Sequence, residues 1–397
     1  MTIETNGSFD VLIAGAGPAG AYLGYLLARQ GIGVAIIDKS PMPRDKVCGG
    51  GLSRKAVELL DFDITPAVHR WIRGARLSFQ DRSSIVKDID PPAGCTVLRR
   101  QFDYLLLERA CAAGAKFYAQ TPFVGLRTAG ETVEVQTGRG AFCCRLLIGA
   151  DGVGSTVRRK VFGRRIVRYV PALETLVPLV AGAATPFDQR VLFDFGAVPH
   201  GYGWIFPKRD HLNIGVYSPW GGEHLREHLA SFIARQEGLR LPADAKYLGS
   251  AIPVKNAPGL FQGDRVWLLG DAAGFADGLF GEGIYFALKS AALAAQALQE
   301  TRVAPNNMRY TQLVRQRLLP DLRASQWMGK ALFAFPRLAF THLVSNPRMN
   351  DCFAGLISGA VGYRECLVKT LVGTPRWLFS SASMAPQPAL AGRPRGR

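Results

Sequence analysis

Gly15-Ala16-Gly17-Pro18-Ala19-Gly20 stands directly after the apolar run Val11-Leu12-Ile13-Ala14, and Gly270-Asp271-Ala272-Ala273-Gly274 follows a second such run, Val266-Trp267-Leu268-Leu269. Glycines at 15, 17 and 20 allow a tight turn, close backbone approach to a pyrophosphate and close helix packing. A helix starting behind them, from about Ala19 to Gln30, aims its N-terminal dipole at the phosphates. Asp38 closes the next strand, ~20 residues past the glycines, where a carboxylate accepts hydrogen bonds from adenosine ribose hydroxyls. The second motif continues as Gly281-Glu282-Gly283-Ile284 and would meet the other end of the same dinucleotide. Asp271 suits ribityl hydroxyls, and a helix from Ile284 to Leu298 would favour the negative charge that reduction places on a flavin's N1–C2 carbonyl edge. Together the two motifs predict FAD.

Other residues with chemical potential lie between them. Cys48-Gly49-Gly50-Gly51 follows the charged stretch Arg44-Asp45-Lys46, and three glycines let backbone lie flat against something large and planar. Arg99 or Arg100, at a helix start, can reach phosphate or ribityl groups, and Asp103 suits that helix's first turn. Asp151, in Gly149-Ala150-Asp151-Gly152, can lock a loop over the cofactor's middle. Tyr202, Trp204 and Phe206 alternate with period two, so they share one face of a strand, as a core face or as an apolar wall over a flavin. Glu282 reads first as a helix-capping acid.

The elements that must position these groups are a buried strand at Phe9–Ala14, a second at Val34–Ile37, and helices behind each glycine motif. The expected fold is mixed α/β (α+β): a Rossmann-like FAD-binding domain, an antiparallel-sheet substrate domain and a helical C-terminal region. The FAD-binding domain would be discontinuous, from residues 1–60, 95–160 and 255–300. Residues 61–94 and 161–254 would form the sheet domain, 301–379 the helical region, and 380–397, rich in Pro, Ala and Arg, a disordered tail.

A chain of 397 residues with 48% hydrophobic content is long enough for two lobes around a shared site. Its seven cysteines show no disulfide-framework spacing, which predicts reduced thiols, and no metal-ligand set is expected. Met1–Asp10 is polar and no run reaches the ~18 apolar residues of a membrane span, so the expectation is a cytoplasmic protein able to meet the inner face of a membrane. Of the net charge of +17, the segment 301–397 contributes +11, from 14 Lys plus Arg against 3 acids. That segment, including Arg315, Arg317, Arg323 and Arg337, suits docking on anionic lipid or holding a prenyl diphosphate head group. A second basic cluster holds Arg158, Arg159, Lys160, Arg164, Arg165 and Arg168. No nucleic-acid-binding signature accompanies the charge, so nucleic acid is not an expected partner.

Taken in order, GAGPAG (15–20), PRDKVCGGGLS (43–53), RxxFD (99–103), GADGVGSTVR (149–158), YGWIFPK (202–208) and GDAAGFADGLFGEGI (270–284) resemble the geranylgeranyl reductase family, within the flavoproteins of aromatic-hydroxylase fold. Cys-Gly-Gly and YGWIFPK point to this branch; GADG and GDAAG mark the broad class only. The resemblance implies that FAD contacts Gly15, Gly17, Pro18, Ala19, Gly20, Asp38, Lys39, Gly49, Gly50, Arg99, Asp151, Gly270 and Asp271, with Gly281, Gly283 and Ile284 at the isoalloxazine. Cys48 would sit beside the ring as a candidate proton source, and Tyr202, Trp204 and Phe206 would line a lipid pocket, the first two as candidate catalytic residues. Many relatives carry proline where Gly278 stands, which puts the rigidity of that loop in question.

The implied activity is saturation of carbon–carbon double bonds in prenyl chains of lipids, chlorophyll precursors or quinones. The single dinucleotide motif is taken by FAD, so no separate nicotinamide domain is expected, and electrons would come from transiently bound NADPH or from a ferredoxin at the basic surface. The rival reading is an oxygen-using flavin enzyme, a monooxygenase or halogenase. Halogenases carry W-x-W-x-I-P, and Tyr202 and Phe206 replace its first tryptophan and its isoleucine. A flavin- or lipid-binding protein without turnover is the non-enzymatic alternative.

Overall fold

The computed structural model describes residues 5–81, 83–163, 167–179, 187–256, 261–301, 308–341 and 346–377. The tail 380–397 and the basic residues Arg164 and Arg165 lie outside them. Among the described residues, no helix is long and apolar enough to cross a membrane.

Val11-Leu12-Ile13-Ala14 is apolar at every position, as a strand covered on both faces must be. It ends the strand Thr5–Ala14, which pairs in parallel with Val34–Ile37 on one side and Gly140–Gly149 on the other. The sheet runs Gln262–Gly263, Val266–Leu268, Gly140–Gly149, Thr5–Ala14, Val34–Ile37, Lys116–Tyr118, with Thr132–Thr137 and Phe123–Ala129 extending it from Gly140–Gly149. The chain leaves Thr5–Ala14 through the helix Pro18–Ala28, so strand order reverses at that strand's carboxyl end. A ligand crevice opens at such a switch point. The helix stops two residues earlier than its sequence suggests, because Gly31 turns left-handed at φ +74°.

A seven-stranded sheet lies opposite: Leu248–Asn256, Val167–Pro178, His211–Tyr217, Tyr202–Pro207, Arg190–Phe195, Gly74–Phe79, Ser83–Asp88. It is antiparallel except between Arg190–Phe195 and Gly74–Phe79, where the segment 61–94 joins. A small sheet of Gly51–Ser53, Gly94–Val97 and Val68–Ile72 bridges the two. Period-two alternation divides the strand Tyr202–Pro207 between two cores. Tyr202 and Trp204 join the main core, while Ile205 packs with Phe232 of the helix Leu225–Ala234 in a second one. The C-terminal helices Arg309–Arg317, Leu319–Ala334, Pro336–Ala339, Pro347–Ser358 and Tyr363–Trp377 complete the fold.

One buried feature of the large sheet is pH-sensitive. Asp194 is fully buried; its Oδ2 accepts from Ser78 Oγ (2.6 Å) and Asp81 N (2.8 Å), while Oδ1 has no partner. Asp81 also has one unpartnered oxygen, and its other meets Arg235 Nε at 3.1 Å. Burial, and then the charge of Asp81, hold the Asp194 carboxyl above the usual carboxylate range. A raised acid contributes stability that is present below its unfolded value and lost as pH rises through the folded one. Asp194→Asn, which needs no proton, is therefore expected to raise the melting temperature at pH 8, with the gain vanishing near pH 4. Thermal melts of both proteins across that range check it.

Candidate active site

At the switch point, Gly15 holds φ +112°, and a Cβ there would lie 2.3 Å from the Ala150 carbonyl oxygen, so the two strand ends meet only over glycine. Gly17 caps the helix Pro18–Ala28 with extended backbone and no side-chain cap, and Pro18 occupies its first turn. The remaining first-turn N–H groups stay available to an anion. Arg44 Nη2 lies 3.6 Å from where a Gly17 Cβ would stand. Asp38 Oδ2 accepts from Ala16 N (2.7 Å) and Oδ1 from Ser40 N (2.9 Å), leaving each oxygen acceptor capacity toward the cavity.

The second motif builds the far end. Gly283 caps the helix Ile284–Glu300, again without a side-chain cap, and a Cβ on it would lie 3.2 Å from Asp271 Oδ1. Asp271 also meets Lys46 Nζ at 3.4 Å. Between them, the carboxylate of Asp277 accepts the backbone N–H groups of Leu279 (2.8 Å), Phe280 (2.7 Å) and Glu282. Burial, and then the charge of Glu282, push its pKa up to about 6.

The loop at Gly278 is held without proline. Gly278 N–H donates to Ser325 Oγ (3.0 Å), and a Cβ there would come within 3.0 Å of Gln326 Cα, on the helix Leu319–Ala334. Gly278→Pro would remove that donor and crowd the helix. It is expected to cost about 1–3 kcal/mol in urea unfolding, against any gain in loop stiffness.

The third part is the aromatic wall. Tyr202, Trp204 and Phe206 face the cavity together. Gly49 and Gly51 lie against the Phe206 ring, where a Cβ would come within 3.0 Å of it, so the large planar surface under these glycines is a side chain of the wall itself. Gly50 turns at φ +63° against the Val97 carbonyl. Half-buried Cys48 donates its N–H to Glu174 Oε1 (3.1 Å), while its Sγ accepts from Gly50 N (3.4 Å). Buried Lys208 ties the loop down through Gly49 O (2.7 Å) and Val97 O (2.9 Å). Burial lowers its pKa to about 8, although Cys48 and Glu174 pull the other way.

These parts line one cavity of about 580 Å³ that runs from Gly17 to Trp204 and is bounded beyond by Leu356, Ile357 and Tyr363 of the C-terminal helices. Two uncapped helix N-termini opening on one groove, with basic Arg44 and Lys46 along it, fit a dinucleotide. Gly15, Gly17, Pro18, Ala19, Asp38, Lys39, Cys48, Gly49, Gly50, Arg99, Asp151, Asp271, Gly281, Gly283 and Ile284 all line the cavity. Gly20 and Gly270 do not. They are spacers behind it: a Cβ on Gly20 would meet Gly15 O at 1.9 Å, and one on Gly270 would meet Ala287 and Ala19.

Residues 8–167 match the FAD binding domain family. The chain is 30% identical over 325 residues to digeranylgeranylglycerophospholipid reductase 2 of Methanosphaera stadtmanae, covering 76% of this chain and 81% of that one. The chain belongs to the geranylgeranyl reductase family. It is thus an FAD-dependent oxidoreductase. Among solved structures, a geranylgeranyl bacteriochlorophyll reductase-like protein from Thermoplasma acidophilum matches with TM-score 0.72 at 21% identity, over 94% of this chain and 98% of that one. A flavin-dependent brominase matches with the same score and identity, over 93% and 99%, so the fold is shared across reaction types.

Several residues of this reductase-family chain have duties other than those their sequence context suggests. Arg99 reaches the cavity wall, but its Nε and Nη2 are committed to Asp103 at 2.7 and 2.8 Å. Asp103 is therefore the buried ion-pair partner one turn on, not a first-turn dipole charge. Asp151 spends its carboxylate on Ser155 Oγ (2.5 Å), Thr156 N (2.6 Å) and Val157 N (3.1 Å), capping the helix Thr156–Phe162. Arg158 is not part of a surface patch: it is buried and donates to the carbonyls of Val153 and Ala272 (2.9 Å each), tying the loop at Val153 to the turn at Ala272. Glu282 pairs with Lys55 (2.9 Å) and accepts from Ser53 Oγ instead of capping its helix. Sequence reading passed over Glu174; its signal was a carboxylate within the strand-forming run 167–178.

Proposed function

We propose that the protein saturates carbon–carbon double bonds of prenyl chains, taking electrons through FAD. The observation that carries this reading is the aromatic wall built onto the same cavity as the dinucleotide groove. Reduced FAD supplies the hydride when bound. An isolated trisubstituted alkene is a poor hydride acceptor, so a proton must arrive with or before the hydride, and tertiary carbocation character develops on the substrate. The ring faces of Tyr202 and Trp204 stabilise that charge, and the dry wall excludes water that would trap it. Gly17, Asp38, Arg44 and Lys46 would hold the dinucleotide, and Gly281, Gly283 and Ile284 the flavin ring. The electron donor is NADPH or a ferredoxin on the basic surface.

The alternative is an oxygen-using enzyme, since the same fold also serves a flavin-dependent brominase. Anaerobic reduction with dithionite, followed by geranylgeranyl diphosphate or a geranylgeranylated lipid, separates the two. Flavin reoxidation with a gain of two mass units per bond supports the reductase; flavin that stays reduced until air is admitted overturns it.

The greasy substrate would come from a bilayer. Trp327, Phe335 and Leu338 are 65%, 67% and 58% exposed on Leu319–Ala334 and the turn after it, interleaved with exposed Arg323, Lys330 and Arg337. Arg317, by contrast, is engaged with Gln296 (3.1 Å). Self-association would set these cations against each other, whereas an anionic lipid surface neutralises them at about 1 kcal/mol each. Co-sedimentation with anionic vesicles that is lost in Trp327→Ser/Phe335→Ser supports this docking face. Unchanged sedimentation, or a concentration-dependent dimer broken by the same variant, overturns it.

A further inference from the structure

The sheet register places one carboxyl group in the aromatic wall. Trp204 pairs with Gly215 across one strand boundary, and Gly215 pairs with Glu174 across the next, so Glu174 and Trp204 stand in one row on one face. Gly215 leaves the space between them to the indole, since a Cβ there would lie 2.1 Å from Trp204 Cζ2. Trp204 Nε1 donates to Asn213 Oδ1 (2.8 Å), and the Asn213 side chain in turn hydrogen-bonds Glu174. Glu174 is 5% exposed and lines the cavity beside Cys48, whose N–H it accepts.

We propose that Glu174 is the proton donor for alkene reduction in this cavity, an assignment that rests on the prenyl-reductase reading. The other acids on the cavity wall have different positions or duties, and Asp45 stands exposed at its rim, 3.9 Å from Arg100 Nη1. Asp38 is at the ribose end, and Asp151 caps a helix. Asp271 meets Lys46, and Glu282 is paired with Lys55. Tyr202 and Tyr363 are held well above the ordinary phenol range by burial, which makes them poorer acids still. Cys48 is a thiol, intrinsically a weaker acid than a carboxylic group.

Burial raises the pKa of Glu174, against the hydrogen bonds from Asn213 and Cys48 N–H and the charge of Lys208. That balance keeps a proton on the carboxyl to higher pH while leaving partners ready for the carboxylate. In the reaction the π bond is consumed and two C–H bonds form. One takes the hydride supplied by reduced FAD, which is oxidised by two electrons; the other takes the Glu174 carboxyl proton. The carboxylate left behind accepts from Cys48 N–H and Asn213 and lies near the Lys208 ammonium. Water entering as product leaves restores the proton.

The test compares the parent with Glu174→Gln, which keeps an acceptor for Cys48 N–H, and Glu174→Asp. Each holoprotein is reduced anaerobically with dithionite and mixed with a geranylgeranylated lipid, and flavin reoxidation is followed in one turnover across pH. Reduction by dithionite and FAD retention are expected to match the parent in both variants. Reoxidation is expected to slow on the order of 10²–10⁴-fold in Glu174→Gln. The parent rate should fall as pH rises through the Glu174 pKa, the Gln variant should lose that dependence, and Glu174→Asp should regain part of the rate. Infrared difference spectra of the flavin-free proteins across pH give a second readout: a protonated-carboxyl band that persists to higher pH than that of an exposed glutamate and is absent from Glu174→Gln. A Gln variant that reoxidises within threefold of the parent, with the same pH profile, overturns the assignment alone, as does a carboxyl band that titrates no higher than an exposed glutamate. A parent that no prenyl lipid reoxidises overturns the function reading and this assignment with it.

Discussion

Asp103→Ala is expected to destabilise the protein by about 3–5 kcal/mol and to release FAD. Asp103 is fully buried and grips Arg99 through two hydrogen bonds, with Arg44 Nη2 3.5 Å away. Burial alone would lower the Arg99 pKa, but the charge of Asp103, aided by Cys48, more than offsets it and holds the guanidinium firmly protonated. Removing the carboxylate leaves a buried cation with its main compensation gone. That is the costly way to break a buried pair, whereas replacing both partners by apolar groups can be neutral. The pair also lies beneath the glycine turn, since a Cβ on Gly17 would stand 4.0 Å from Asp103 Oδ2. Urea unfolding and flavin absorbance after gel filtration check both parts. Asp103→Asn should cost less, and Arg99→Met/Asp103→Leu should recover much of the stability. A cost below 1 kcal/mol for Asp103→Ala would mean that water reaches the guanidinium.

Gly215→Ala is expected to cut turnover about 10²-fold or more while leaving FAD bound. The new Cβ would lie 2.1, 2.4 and 2.6 Å from three atoms of the Trp204 ring, and an indole cannot yield by bending. The ring must leave its place over the strand, giving up its bond to Asn213 and exposing the wall to water. Overpacking of this kind costs about 1–3 kcal/mol in stability, small beside the effect on chemistry that depends on wall geometry. Gly249→Ala is the control: it lies in the same sheet with nothing within 4 Å of its would-be Cβ. Single-turnover flavin reoxidation of the two variants checks the contrast, and equal rates would remove Trp204 from the reactive wall.

Much of the cofactor half was legible in the amino-acid order because its demands are local. A turn at φ +112° with a carbonyl 2.3 Å from the missing Cβ admits only glycine, and Gly15 announces that by its type. Period two alone set Tyr202, Trp204 and Phe206 on one face, and the two uncapped helix starts follow from glycine just before an apolar helical run. Even here, type did not tell role. Gly20 and Gly270 are glycines because neighbouring backbone and side chains crowd them from behind, and nothing in the motif distinguishes such a spacer from a lining residue.

Charge was the least legible property. Arg158 sits in a basic run that reads as surface, yet it is buried against carbonyls more than 100 residues away. Glu174 meets Cys48 across 126 positions, Glu282 meets Ser53 across 229, and Ser325 holds the loop at Gly278 from a helix with no recognisable motif. The chain's order by itself determined the cofactor, the strand–turn–helix units that receive it and the face of the aromatic strand. All of these depend on backbone sterics and periodicity within a few residues. Only the tertiary structure decided which charges are buried, which acid lies in the aromatic wall and what holds the loop at Gly278, because desolvation and ion pairing depend on partners that folding alone brings together.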